Sequence, residues 1–126
     1  MQCFVLDVPS VTVGQGYTVT LGNSITLQCT VFATPSATSV QWNKVTNNVP
    51  VAININLSKY SGASISTPSL TITNSAESDE GYYTCQATNA AGTGTSTQTF
   101  LDVQGSKYWY FIISYTEFCL CVIKVL

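Results

Sequence analysis

The 126-residue sequence predicts an all-β domain. Three observations carry the expectation. Ile25, Leu27, Cys29 and Val31 alternate with Ser24, Thr26, Gln28 and Thr30, and residues 69–73 alternate in the same way. In an extended chain, successive side chains point to opposite faces, so each run has one apolar face. Tyr83, Cys85 and Ala87 are spaced by two and therefore share a face, as do Val40 and Trp42. Turn formers punctuate these runs: Gly14-Gln15-Gly16, Gly22-Asn23, Pro35-Ser36 and Asn47-Asn48.

Taken in order, the first strand falls at 8–13. Pro9 suits an edge there, where a missing N–H costs little. A second strand falls at 17–21, a third at 24–31, and a polar loop at 33–38. Strands at 39–44 and 49–55 flank the Asn47-Asn48 turn, and residues 59–61 form a short strand. After the strand at 69–73 comes an acidic corner at 74–80, then a strand at 81–88, a loop at 89–94, and a last strand to 103 with Leu101 and Val103 on one face.

The corner is the most informative stretch. Residues 79–85 read Asp-Glu-Gly-Tyr-Tyr-Thr-Cys, or D-x-G-x-Y-x-C. Gly81 supplies a turn position open to unusual backbone angles, and Asp79 can accept hydrogen bonds from backbone around that turn. Together with Cys29 and Trp42, this run resembles the immunoglobulin fold. Residues 85–92 read C-x-A-x-N-x-x-G, which resembles the last hairpin of the I-set class. The resemblance covers about residues 8–104.

The resemblance implies a two-sheet antiparallel immunoglobulin-like β-sandwich over residues 7–104. In it a Cys29–Cys85 disulfide joins the sheets, Trp42 packs on the bridge, and Asp79, Gly81 and Tyr83 form a tyrosine corner. Family members often pair an arginine with the aspartate before the corner. This chain has no Arg, and Lys59 is the candidate substitute for pairing with Asp79. A lysine offers a point charge rather than a two-pronged fork.

The chain has four Lys, no His and six acidic residues. That leaves no basic patch for nucleic acid. The absence of His removes a Ser-His-Asp arrangement and most zinc sites, so no enzyme, cofactor or metal is expected. The resemblance implies a non-catalytic protein–protein binding module of a larger extracellular or cell-surface adhesion, matrix or recognition protein, as in the hemicentins and neural cell-adhesion receptors. Its partners would be proteins, homophilic or heterophilic, and neighbouring immunoglobulin-like domains. An intracellular structural module of giant muscle proteins, with reduced cysteines, is the alternative; a small single-module membrane-associated protein is another. Asn56-Leu57-Ser58 is the one N-x-[ST] sequon and makes Asn56 a candidate N-glycosylation site. The sequon, the sparse charge and the Ser/Thr-rich strand faces favour the extracellular alternative.

Residues 1–6 and the hydrophobic tail at 105–126 fall outside the expected domain and hold Cys3, Cys119 and Cys121. Residues 108–126 approach the roughly 20-residue length of a membrane span. Glu117 and Lys124 make them a weak membrane segment at best, and a membrane partner is expected only if the tail belongs to the protein. Both ends are read instead as translated intron. Codons for Ser106-Lys107-Tyr108 can spell A|GTAAGTAT, a splice donor, and those for residues 4–7 can end TTAG|AT, a splice acceptor. Both cuts fall after the first base of a codon, as in a shuffled single-exon module.

Overall fold

The computed structural model describes residues 6–105 with their side chains, and the backbone of residues 108–113 and 119–124. Residues 1–5, with Cys3, lie outside the described residues, as do Glu117 and the side chains of Cys119, Cys121 and Lys124.

Among the described residues the elements are β-strands apart from one turn of 3-10 helix at Glu77–Asp79. One sheet runs β2 (Gly16–Thr20), β11 (Thr99–Gln104), β9 (Gly81–Asn89), β5 (Ser39–Thr46), β6 (Val49–Ala52), with β10 (Gly92–Thr95) also on β9. The facing layer has two parts: β1 (Asp7–Val13) on β4 (Cys29–Thr34), and β3 (Ile25–Leu27), β8 (Leu70–Ile72), β7 (Tyr60–Gly62). Among the described residues the pairings are antiparallel except β2 with β11. Between the layers Leu27, Trp42, Leu70, Ile72, Tyr83, Cys85 and Leu101 are fully buried, which is the apolar side of each alternating run.

At two of the places where the strands differ from the sequence pattern, a side chain has taken a ladder position. The expected strand at 24–31 divides at Gln28 and runs on to Thr34. Gln28 N–H donates to the Tyr17 hydroxyl at 2.9 Å, and Cys29 N–H donates to Ser69 Oγ at 3.0 Å. The last strand is likewise two pieces. Ser96 Oγ accepts the Cys85 N–H at 2.9 Å and donates to the Thr97 carbonyl at 2.7 Å, which separates β10 from β11. The expected loop at 89–94 shrinks to Ala90 and Ala91, because Asn89 Oδ1 accepts from Ala91 and Gly92 N–H at 2.9 and 3.2 Å. Gly94 is needed for closeness: a Cβ there would lie 1.9 Å from the Pro9 carbonyl oxygen.

The strand at 39–44 extends to Thr46 and enters a two-residue turn with Asn47 at φ 52° and Asn48 at φ 64°. Asparagine tolerates those angles, and two such residues suit a hairpin's twist. The expected strand at 49–55 ends at Ala52, and the one at 59–61 falls at Tyr60–Gly62. Pro9 lies in a register shift of the β1 edge, between Asp7 and Ser10. In the tail, β12 (Tyr108–Ile113) pairs antiparallel with β13 (Cys119–Lys124). No helix among the described residues is long and apolar enough to cross a membrane.

Candidate binding surface and its scaffold

The scaffold begins at the corner. Asp79 ends the 3-10 turn, and its Oδ2 accepts the Ala76 N–H at 2.8 Å. The same oxygen pairs with Lys59 Nζ at 2.7 Å, so the lysine stands where the family arginine would. Lys59 also donates to the Asn74 carbonyl at 3.2 Å. The buried Tyr83 hydroxyl donates to the Asp79 carbonyl at 2.5 Å. Gly81, between them, has φ 147°, an angle that side chains rarely allow. Glu80 Oε1 accepts the Val103 N–H at 3.0 Å and ties the corner to β11. Lys44 Nζ bonds the Ser78 carbonyl and sits 5.9 Å from the centre of the Tyr83 ring.

Burial, then the Asp79 charge, then Tyr60 push the Tyr83 hydroxyl far above the ordinary tyrosine range. Burial raises Tyr60 as well, Asp79 adds to the rise, and Lys59 opposes it. Both phenols thus resist ionisation, and Tyr83 holds the corner as a neutral donor beside the Lys59–Asp79 ion pair. Cys29 and Cys85 are bonded, with Cα atoms 6.4 Å apart. Trp42 lies opposite Cys85 in the β5–β9 register and donates Nε1–H to the Pro68 carbonyl at 2.8 Å. The scaffold residues thus form two groups, Lys59, Asp79 and Tyr83 at the corner and Trp42 opposite Cys85 beside the bridge. Asn56 stands apart from them, exposed in a turn. No cluster of three or more His, Cys, Asp or Glu suited to a metal occurs among the described residues.

The surface that faces outward from the larger sheet was not singled out from the sequence, which names no binding face. Gly16, Phe100, Tyr82, Val45 and Pro50 are successive register partners across β2, β11, β9, β5 and β6. Partners in a ladder point to the same face, so the four side chains form one apolar row. Tyr82 and Phe100 are 49% and 37% exposed, with ring centroids 4.9 Å apart. Uncharged Gln41, Gln86 and Thr95 occupy the same face, linked in part by a Gln86–Thr95 hydrogen bond of 3.2 Å. The missed signal was parity: Tyr82 and Phe100 sit one residue out of phase with buried Tyr83 and Leu101.

Two facing β layers joined by a disulfide beside a buried tryptophan, with a tyrosine corner, define an immunoglobulin-like domain. The family profile described as "Immunoglobulin domain" matches residues 8–89, and the chain belongs to that family. Among solved structures, it is similar to the tandem Ig repeats of Dlar, with 28% identity and a TM-score of 0.63, over 76% of this chain and 48% of that one. It is also similar to the N-terminal Ig1-2 module of the Drosophila receptor protein tyrosine phosphatase DLAR, with 30% identity and a TM-score of 0.63, over 81% and 48%. The chain thus spans about half the length of these solved chains. No curated protein matches it.

Proposed function

We propose that this chain is a non-catalytic, I-set-like protein-binding domain of a larger extracellular adhesion or recognition protein. The observation that carries the reading is the Phe100–Tyr82–Val45–Pro50 row, with its aromatic pair exposed, on a sheet face that it shares with Asp102 and with uncharged Gln41, Gln86 and Thr95. Aromatic side chains on a rigid sheet offer large contact area at small entropic cost, which is where binding energy concentrates. The Cys29–Cys85 bridge suits an oxidising compartment. Likeness to tandem Ig repeats of a receptor supports neighbouring domains of the same kind.

The test presents the full chain on beads to one another and to cells of the source tissue. Wild-type beads are expected to cluster or to bind cells, and Tyr82→Ser with Phe100→Ser to abolish this while circular dichroism stays unchanged. Undiminished adhesion by the double variant would remove the face from consideration. Thiol labelling of native material separates the compartments: a formed bridge supports the extracellular reading, and two free thiols support the intracellular structural module.

A further inference from the structure

The rim between β6 and β7 is built differently from the rest of the surface. Ile53 N–H makes a bond to the larger sheet, at 2.9 Å to the Trp42 carbonyl. The chain then turns over residues 54–57, where Leu57 N–H bonds the Asn54 carbonyl at 3.2 Å and Asn54 Oδ1 accepts the Asn56 N–H at 3.1 Å. A second turn, Tyr60 N–H to the Leu57 carbonyl at 3.1 Å, delivers it to β7 in the facing layer. Asn56 is therefore the crossing point between the outer strands of the two layers, β6 and β7.

Such edges invite pairing with other chains, and proteins cover or blunt them. Here Pro50 blunts β6 by removing a donor, yet Val49, Val51, Ile55 and Leu57 remain 58%, 52%, 43% and 53% exposed. Asn56, Leu57 and Ser58 are all exposed, and the Asn54 bond takes the Asn56 backbone N–H, so among the described residues no hydrogen bond engages its carboxamide. A polar hollow of about 240 Å³, lined by Ser58, Lys59, Thr73 and Asn74, lies beside the sequon.

We infer that Asn56 carries an N-linked glycan whose first sugars cover this rim. The inference rests on the extracellular reading above. In the transfer, Asn56 Nδ2 bonds to C1 of the first sugar, and the bond between that carbon and a phosphate oxygen of a lipid-linked sugar diphosphate breaks. The diphosphate leaves with the electron pair, and the carboxamide gives one proton to a base. The glycan covers the exposed apolar residues and both strand edges, and leaves Tyr82 and Phe100 open on β9 and β11, away from the β6 edge.

The experiment expresses the full chain in eukaryotic cells behind a cleavable secretion signal, pooling medium and lysate. Mass spectrometry before and after peptide N-glycosidase treatment reads the site, and signal cleavage in the same spectra marks chains that reached the lumen. Thiol labelling reads Cys29 and Cys85 on the same material. The expected result is a mass loss on treatment with conversion of Asn56 to Asp. Asn56→Gln and Ser58→Ala each abolish the loss, and Asn54→Gln retains it. Unmodified Asn56 in signal-cleaved chains overturns the site, and a formed bridge in those chains leaves the extracellular reading standing. A glycosylated chain with free Cys29 and Cys85 supports the site and counts against that reading.

Discussion

Replacing Tyr83 with Phe removes one oxygen and leaves the ring. The buried hydroxyl donates to the Asp79 carbonyl at 2.5 Å, so the variant leaves that carbonyl without this donor. The expected cost near pH 7.5 is about 1–3 kcal/mol. The same residue sets a pH dependence. Its folded pKa is raised far above the unfolded value, chiefly by burial. The stabilisation from holding the proton is complete below about pH 10 and is lost as pH rises, because the unfolded chain ionises while the folded one does not. The slope is about 1.4 kcal/mol per pH unit, and by about pH 11 the wild type has lost roughly 1.4 kcal/mol that Tyr83→Phe keeps. Urea unfolding at both pH values, extrapolated linearly to water, gives the two gaps. The wild-type advantage should shrink by roughly that amount at the higher pH, since the two proteins differ only in the Tyr83 hydroxyl. An advantage that is unchanged or larger at high pH would refute the reasoning, as would no measurable gap near neutrality.

The scaffold yields further expectations. Converting Cys29 and Cys85 to Ala opens a loop spanning 56 residues. Chain entropy puts that at about 4 kcal/mol, a large share of a domain's usual margin, read as a lower urea midpoint. Lys59→Met strands the buried Asp79 carboxylate and should cost about 1–2 kcal/mol, the half-exposed lysine softening the loss, whereas Lys59→Arg should hold stability or raise it. Gly94→Ala forces β1 away from β10 at Pro9 and should cost at least about 2 kcal/mol, with faster hydrogen exchange confined to β1 and β4 if the clash is local.

Sequence made legible those features whose cause is local. The Asn47-Asn48 turn needs two residues that accept positive φ, and the corner needs Gly81 beside Tyr83, so both are visible in the residues themselves. Lys59 as a candidate partner for Asp79 came from the resemblance, since family members often pair an arginine with that aspartate. The breaks at Gln28 and Ser96 had no local sign. Tyr17 lies 11 residues from Gln28 and Ser69 lies 40 from Cys29, and only the folded sheet brings them within reach. Gly94 against Pro9 is similar, a contact across β10 and β1 that alternation cannot show. The outward row was hidden for another reason. Its members come from four strands, and only the register lines them up.

The parallel pair of strands has one more consequence. The chain enters at Asp7, beside Thr34 and Asn89, and leaves the domain after Gln104, beside Leu21, at the opposite pole. β2 and β11 lie side by side between those poles, matched from Gly16–Phe100 to Thr20–Gln104. Tension along the chain draws β2 toward one pole and β11 toward the other. The five matched positions then resist sliding together, in shear, rather than opening one after another as a hairpin does when peeled from its end. Within a string of such domains, this one would hold its shape under pull and give way abruptly, all at once.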